Sequence, residues 1–270
     1  MPIVHYWSLE ETVKHGQSNL FSGTEDEATQ ELEDLMCKVV TNQSAADVPI
    51  GAFLSGGLDS SSIVAFAKEK NPNIKCFTID STGLEKEGVI SDLPYAKEVA
   101  KHLKVPLEIV KVDSSLMISG IKDMILQLDE PIADPAPLNV LCISKIAKNQ
   151  GIKVLLSGSG GDDIFSGYRR HFALNSEFYW NWLPTKSLIL IRNLIKKGKI
   201  NNNLLRRVGK ALSGAELDEE KRIVNYFRWI NRSDLRSLFS KELNDQLKNS
   251  IAEEPFLEFI SNLSKSFLKI

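Results

Sequence analysis

The chain has 270 residues, of which 43% are hydrophobic and 25% are charged, and its formal net charge is −2. This composition is typical of a folded globular protein, and the length suits one large domain or a domain with an appendage. A charge so close to zero creates no overall field that would attract nucleic acid or a membrane surface. The sequence has no apolar run of the roughly 18–20 residues that span a bilayer, and it begins without a signal-peptide pattern. We therefore expect a cytoplasmic protein with no nucleic-acid or membrane partner.

The three cysteines, Cys37, Cys76 and Cys142, lie far apart among apolar residues. Their odd number and wide spacing predict three buried free thiols, which suits a reducing compartment. No group of cysteine and histidine residues has the spacing of a structural zinc site.

The first predicted elements are a lead-in and a helix. Residues 1–23 show no clear period, so we expect an extended lead-in. Thr24 and Glu27 then form a capping box, and apolar residues at helical spacing follow. We predict a helix over about 25–43.

Short apolar runs then alternate with amphipathic stretches up to about residue 165. Strands buried on both faces of a sheet have such continuous apolar runs. The alternation predicts an α/β domain over 24–171, with a parallel sheet and helices on both faces. The predicted strands are 48–54, 74–79, 107–112 and 154–156. Between these strands, one predicted helix ends at Lys70, a second begins at Ser91-Asp92, and two more cover 116–128 and 138–149.

The remaining residues, 172–270, carry no strand signal and predict a helical appendage. Within it, the segment 186–210 has eight Lys or Arg residues and no Asp or Glu. Such a run is typical of the solvated face of a helical appendage, and it also occurs in helices that bind a membrane surface or a partner.

The stretch "GAFLSGGLDSSS" at 51–62 ends a predicted strand with Ser-Gly-Gly and opens a helix. Gly56 and Gly57 can adopt backbone angles that side chains forbid, and they let an anion approach the main chain. The unpaired N–H groups at the start of the next helix attract negative charge. With the hydroxyl groups of Ser55 and Ser60, this stretch predicts a phosphate-binding loop.

The loop differs from the common nucleotide-binding motifs, since it has neither Gly-Lys-Ser/Thr nor Gly-x-Gly-x-x-Gly. It has Asp59 where a lysine would otherwise neutralise phosphate. A carboxylate beside phosphates is favourable when Mg²⁺ lies between them, because Mg²⁺ takes one or two carboxylates together with phosphate oxygens. We therefore expect bound phosphate groups with Mg²⁺ beside them.

A second glycine-rich loop, "SGSGGDDIFSGY" at 157–168, follows the fourth predicted strand. It also opens a helix at the carboxyl end of a strand, where open α/β sheets bind their ligands. Its Asp162 could complete a metal site with Asp59.

These motifs resemble the N-type ATP pyrophosphatases, and within them the synthetase domain of glutamine-dependent asparagine synthetase. The first loop resembles their pyrophosphate loop, and the second resembles the family's Ser-Gly-Glu-Gly-x-Asp-Glu-x-Phe-x-Gly-Tyr. The segments "YWSLE" at 6–10, "DVPIGAFLSGGLDSSSIVA" at 47–65 and "DEPIADPA" at 129–136 are also similar. The resemblance is strong over about 6–171 and vague beyond.

The resemblance implies that the β-carboxylate of aspartate attacks the α-phosphorus of ATP, and that ammonia then displaces AMP to give asparagine. It also implies which residues bind ATP and metal. Leu54, Ile79, Ser157 and Gly158 would contact the adenosine; Ser55, Gly56, Gly57, Asp59 and Ser60 would hold pyrophosphate; Asp59 and Asp162 would bind Mg²⁺.

The sequence departs from the family pattern at Ser159, which occupies the position of an acid that serves the amine step. A serine is a poor base at neutral pH, so either another group serves as the base or the acceptor differs. Asp163 replaces a glutamate with the same charge and a shorter reach.

Two further segments of the family are not found. One is the glutaminase domain with its N-terminal cysteine, so we expect ammonia to come from solution or from a separate glutaminase chain. The other is the later lysine segment that stabilises the transition states. Two alternatives to an asparagine-forming domain therefore stay open: an amidotransferase for another carboxylate, such as a surface-polysaccharide sugar, and a catalytically incomplete ATP-binding module that needs a partner chain.

Overall fold

The computed structural model describes residues 4, 6–80, 91–130, 132, 134, 136–180, 182–197, 205, 208, 209, 211–228, 230 and 232–262. Part of the segment 129–136 lies outside the described residues.

The chain divides into two compact units, one of Asn19–Asp162 and one of Met1–Ser18 with Asp163–Ile270. The division into 1–23, 24–171 and 172–270 that the sequence suggests remains a prediction.

Four parallel strands form the sheet of the unit Asn19–Asp162, in the order β3-β2-β1-β4. In β1, Ala52 lies opposite Cys76 of β2 on one side and Leu156 of β4 on the other. The strand order reverses between β1 and β4, so the loops that follow these two strands lie side by side at a topological switch point. The strands are β1 (Ile50–Phe53), β2 (Lys75–Asp80), β3 (Leu107–Lys111) and β4 (Val154–Leu156).

Helices cover both faces of this sheet, as the sequence predicts. Ala52, Leu54 and Cys76 belong to one buried cluster, while Phe77 and Val110 belong to another. Alternate residues of each strand therefore face two separate cores, because side chains along a strand point to opposite faces. The helices of this unit are α2 (Glu25–Gln43), α3 (Leu58–Lys70), α4 (Leu93–Leu103), α5 (Ser114–Gln127), α6 (Ala136–Asn149), and the first residues of α7 (Gly161–Ile164).

The predicted capping box of α2 is confirmed. The backbone N–H of Glu27 donates to Thr24 Oγ1 at 3.3 Å, and the backbone N–H of Thr24 donates to Glu27 Oε2 at 2.7 Å. Two donors at the end of the helix are thereby satisfied reciprocally.

The expected extended lead-in is wrong over α1 (Leu9–Ser18), which is helical. An ion pair of 2.6 Å joins Lys14 to Glu10, and the backbone N–H of Glu11 donates to Ser8 Oγ. No residue of this helix is buried. The stretch is short and its only large apolar side chains are Leu9 and Val13, so the periodicity on which the prediction depended was too weak to reveal the helix.

The described residues of the other unit contain helices and no strand, as expected. Within the basic run, Leu188 is buried, Lys186 is exposed and Arg192 forms an ion pair of 3.1 Å with Glu216. The helices of this unit are α1, the end of α7, α8 (Arg169–Asn175), α9 (Thr185–Lys197), α10 (Glu219–Phe227), α11 (Arg232–Ser237), α12 (Lys241–Gln246) and α13 (Glu254–Asn262), with short 3₁₀ turns at Ser176–Tyr179 and Leu212–Gly214.

All three cysteines are free thiols, but only one of them is buried. Burial raises the pKa of the Cys76 thiol to about 12, which keeps it protonated and unreactive. Cys37 and Cys142 are half-buried instead. The expectation of three buried thiols is wrong for these two because they lie on helices, α2 and α6, whose apolar faces are only partly covered.

Candidate active site

The first glycine loop lies at the carboxyl end of the central strand β1. The backbone N–H of Leu54 donates to Phe77 O at 2.8 Å, which continues the sheet for one residue beyond β1. Leu54 is 1% exposed and packs in the core. This exposure is that of the whole residue, backbone included, so the predicted contact of Leu54 with the adenosine stays a prediction. Ile79, the other predicted adenosine contact, is half-buried near the end of the neighbouring strand β2.

Gly56 makes the turn that carries the chain from β1 to α3. Its φ is +84°, in the region that residues with a side chain rarely adopt. A Cβ at this position would also lie 2.5 Å from the backbone nitrogen of Ala96 and 2.6 Å from Cβ of Tyr95. The first turn of α4 therefore closes directly on the loop, and Gly56 is required both for its angle and for its size.

The serines of the first loop bond to one another. Ser55 N–H donates to Ser60 Oγ at 3.2 Å, the two hydroxyl oxygens are 2.9 Å apart, and Ser60 Oγ donates to the carbonyl of Gly57 at 3.3 Å. Because each hydroxyl has a single hydrogen, Ser55 must be the donor to Ser60. The two hydroxyl groups that the sequence predicts as phosphate donors therefore hold the shape of the loop in this conformation.

Helix α3 starts at this loop with a bare N-terminus. Gly57 is its N-cap, and no side chain caps the helix. The N–H groups of Leu58 and Asp59 have no side-chain cap, and the helix dipole adds a partial positive charge there, while the backbone nitrogen of Ser60 lies close to Gly158. Asp59 in the same turn adds a carboxylate, and its side chain is half-exposed.

The second glycine loop begins after β4, beside the first. Ser159 N–H donates to Ser157 Oγ at 3.1 Å, and the two hydroxyl oxygens are 2.7 Å apart. Both serines are exposed. The hydroxyl group of Ser159 therefore lies next to the hydroxyl group of Ser157. A serine is too weak a base to make the Ser159 hydroxyl more reactive.

The two loops touch through the glycines of the second loop. A Cβ on Gly158 would lie 2.7 Å from the backbone nitrogen of Ser60 and 3.0 Å from Cβ of Asp59. A Cβ on Gly161 would overlap the carboxyl group of Asp59. The second loop therefore packs with its bare backbone against the first turn of α3, and this contact brings all the predicted phosphate and metal residues together.

The predicted metal ligands are close neighbours by this arrangement. The Asp59 carboxylate lies against Gly161, and Asp162 is the next residue, with consecutive Cα atoms about 3.8 Å apart. Asp162 is exposed. Within the described part of the chain no three acidic, histidine or cysteine side chains cluster as a metal site. Two carboxylates beside the predicted phosphate-binding loop still fit Mg²⁺, which completes its shell with phosphate oxygens and water.

Asp163 has a different environment in the other unit. It forms an ion pair of 3.0 Å with Arg170, whose guanidinium group stacks on the rings of Tyr168 at 4.0 Å and Phe227 at 4.9 Å. Asp163 therefore has a charged partner within its own unit, and this partner is stacked on two aromatic rings.

The sequence did not point to Tyr95, Ala96 or Gly161 as site residues. Tyr95 and Ala96 reach the first loop from α4, and only strand order places α4 there. Gly161 stands in a recognised motif, but its contact with Asp59 joins two loops that are far apart in sequence. No local pattern contains that information.

The chain is similar in sequence to proteins of a known family. The sequence model of the asparagine synthase family matches residues 31–258. The chain belongs to the asparagine synthase family. The match continues well past residue 171, so family membership includes most of the helical C-terminal region as well as the α/β part.

Several proteins are similar in sequence to this chain over most of its length. Asparagine synthetase [glutamine-hydrolyzing] 1 of Bacillus subtilis is 32% identical over 68% of this chain and 29% of its own length. A putative asparagine synthetase [glutamine-hydrolyzing] of Mycobacterium tuberculosis is 32% identical over 72% of this chain and 30% of its own length. The amidase chyE of Penicillium rubens is 29% identical over 60% of this chain and 25% of its own length. The chain thus spans less than a third of the length of these relatives.

Among solved structures, an NH₃-dependent NAD synthetase from Campylobacter jejuni aligns over 85% of this chain and 96% of its own, with 16% identity and a TM-score of 0.37. A similarity of this size does not bear on function. Within the described residues, none of the helices combines the length and apolar character of a membrane span.

Proposed function

We propose that this chain is an ATP-dependent amide-forming ligase domain that adenylates aspartate and amidates it with ammonia to give asparagine. The observation that carries the proposal is the contact between the two glycine loops. Gly158 and Gly161 lie against Asp59 and Ser60 at the switch point of a parallel sheet. Family membership supports the reaction class.

The proposed reaction has two steps. A carboxylate oxygen of aspartate attacks the α-phosphorus of ATP, the bond to the bridging oxygen breaks, and pyrophosphate leaves. Ammonia then attacks the acyl carbon of β-aspartyl-AMP, loses a proton, and displaces AMP. In such a reaction the protein contributes mainly the orientation of the reactants and stabilisation of developing negative charge.

Each predicted site residue has a place in this proposal. The N–H groups at the start of α3, with Ser55, Gly56, Gly57 and Ser60, would hold the departing pyrophosphate. Leu54, Ile79, Ser157 and Gly158 would contact the adenosine. Asp59 and Asp162 would hold Mg²⁺, which neutralises phosphate charge when it is bound. Ser159 would face the reacting carbonyl without serving as a strong base.

The first prediction tests nucleotide binding. ATP with Mg²⁺ should raise the unfolding midpoint of the wild-type chain, because a ligand that binds only the native state stabilises it. Asp59→Ala should abolish that rise, since it removes a carboxylate from the metal. Differential scanning fluorimetry with millimolar ATP-Mg measures both.

Asp47→Ala is the matched control, because Asp47 is an exposed carboxylate of the same unit and lies outside the loops. It should respond to ATP-Mg as the wild type does. A wild-type chain whose midpoint does not move with ATP-Mg would contradict the proposed nucleotide site.

The second prediction concerns the acceptor. Pyrophosphate should be released when ATP-Mg, aspartate and ammonia are supplied together, and a pyrophosphate assay over a panel of carboxylates identifies the acceptor. Release with a sugar carboxylate but not with aspartate would favour the alternative amidotransferase. A relative named amidase, chyE, favours keeping that alternative in the panel.

A chain that binds ATP-Mg and releases no pyrophosphate with any carboxylate would instead be an ATP-binding module that works with a partner. We further propose a separate glutaminase chain as a source of ammonia. Adding such a chain with glutamine in place of ammonia tests this partnership directly. We place the reaction in the cytoplasm.

A further inference from the structure

Helix α9 has one side that packs and one side that is largely exposed. Leu188 is buried and Arg192 forms its ion pair with Glu216, so both side chains lie on the packed side. Because an α-helix has about 3.6 residues per turn, positions two residues further along lie on the opposite side. That opposite side carries Leu190 and Leu194, which are 61% and 60% exposed.

Three exposed aromatic residues precede this helix in the chain. Phe178, Tyr179 and Trp182 are each at least three-quarters exposed, and together they are called the aromatic turn. Trp182 Nε1 donates to the carbonyl of Tyr179 at 2.8 Å, and the rings of Phe178 and Tyr179 meet edge to face with centroids 6.0 Å apart. Single exposed apolar residues are normal on a protein surface, whereas several in one short segment indicate a binding surface.

The same segment is strongly basic. Residues 186–210 include eight Lys or Arg and no Asp or Glu. Lys186 is exposed and lies about one turn before Leu190, on the same side of α9. Lys196 and Lys197 are the last two residues of the helix. Lysines therefore stand near both ends of the helix that exposes the leucines.

The near-zero charge of the whole chain does not describe this segment. Charges act on a nearby surface over roughly one Debye length, about 8 Å at physiological ionic strength. The local excess of positive charge therefore attracts an anionic surface even though the chain as a whole carries a net charge of −2. The expectation of no membrane partner depends on the net charge alone, so it does not apply to this segment.

We propose that α9 and the aromatic turn bind the surface of an anionic phospholipid bilayer. Leucine and aromatic side chains enter the boundary between head groups and acyl chains, while lysines contact the anionic head groups. With 13 residues α9 is shorter than a membrane span, so it would lie along the surface. The exposed leucines favour lipid over nucleic acid, because an aliphatic side chain does not stack on bases as an aromatic ring does.

Vesicle binding is independent of the proposed ATP site, since all of these residues lie outside the unit Asn19–Asp162. Variants of this surface should therefore keep the wild-type affinity for ATP-Mg in isothermal titration. A failure of vesicle binding would leave the proposed function untouched, and a failure of ATP binding would leave this proposal untouched.

Co-sedimentation of the full chain with vesicles is the test. Vesicles of phosphatidylcholine and phosphatidylserine in equal amounts should bind the wild type about 10-fold more tightly than vesicles of phosphatidylcholine alone, and high salt should remove this difference. The double variant Leu190→Gln with Leu194→Gln should weaken binding to the mixed vesicles by about 10-fold, because two apolar side chains no longer enter the bilayer. Lys186→Glu should weaken it by about 10-fold through charge reversal.

Leu238→Gln and Lys241→Glu are the matched controls, since both residues are exposed in the same unit and lie outside the segment. Both controls should bind the mixed vesicles as the wild type does. Circular dichroism verifies that each variant is folded. Lys186→Glu serves as the test on its own if the double leucine variant does not fold.

Three results would overturn the proposal. The first is a wild-type chain that does not sediment with the mixed vesicles; if that chain binds single-stranded RNA instead, the segment is a nucleic-acid surface. The second is equal binding to both kinds of vesicle. The third is wild-type affinity for the mixed vesicles in a folded variant at Lys186 or at Leu190 and Leu194.

Discussion

Two glycines, Gly56 and Gly151, have similar positive φ angles but differ in the space around them. Gly56 and Gly151 have φ of +84° and +80°, but Gly56 lies against the backbone of α4 while Gly151 has nothing within 4 Å of a would-be Cβ. Gly151→Ala should cost only the left-handed penalty, about 1–2 kcal/mol. Gly56→Ala should cost clearly more, because the first turn of α4 must also move. Urea unfolding followed by circular dichroism measures both values.

Equal losses in these two variants would contradict the contact between the first loop and α4. The same pair also bears on function. Gly56→Ala should weaken ATP-Mg binding, since it shifts the loop that would hold pyrophosphate, whereas Gly151→Ala lies at the far end of α6 and should not. The sequence motif predicts a glycine at position 56 because of the turn, and the structure adds a second reason, which is the close approach of α4.

At the scale of single elements, helix α2 carries a prediction about pH. The pKa of Glu27 is lowered, first by the hydrogen bond from the backbone N–H of Thr24 and then by its hydroxyl. A carboxylate with a lowered pKa in the folded state stabilises above its unfolded value of 4.5, and this contribution is lost as pH falls through the folded pKa. Glu27→Ala should therefore lower the unfolding midpoint at pH 7 and have a smaller effect near pH 3.

Glu31→Ala, in an exposed position of the same helix, is the comparison for this experiment. It should change the midpoint little at either pH. If the difference in unfolding midpoint between wild type and Glu27→Ala were as large in acid as at neutral pH, the capping box would not depend on ionised Glu27.

The helices and strands were predictable from the sequence where they carry an apolar face or a cap, as in α2. Helix α1 has only two large apolar side chains, Leu9 and Val13, and no buried residue, so its sequence gives a weak periodic signal.

At the scale of the whole molecule, all the predicted nucleotide and metal residues belong to the unit Asn19–Asp162. The other unit has its own half-buried ion pair, in which Arg222 Nε donates to both carboxylate oxygens of Glu177 at 2.9 Å. Burial and the neighbouring Glu177 raise the pKa of Tyr226, so the phenol stays neutral. Glu177→Gln leaves the Arg222 charge without its partner and should destabilise this unit by about 3 kcal/mol.

The same variant should keep the wild-type affinity for ATP-Mg at temperatures where it is folded, because none of its changed contacts involves the glycine loops. Thermal unfolding and isothermal titration of Glu177→Gln, compared with Glu219→Gln at an exposed position of α10, test both parts. Lost affinity in Glu177→Gln alone would mean that residues outside Asn19–Asp162 contribute to binding.

The sequence by itself determined the α/β class, the four strands, both glycine loops, and the family, because these depend on periodicity, caps and short motifs within single segments. Tertiary structure decided that Gly161 lies against Asp59 and that α4 closes on Gly56. Those contacts depend on strand order, β3-β2-β1-β4, which brings the loops after β1 and β4 to one edge of the sheet. Local sequence patterns do not specify strand order, because the order depends on which buried faces of the strands and helices pack together.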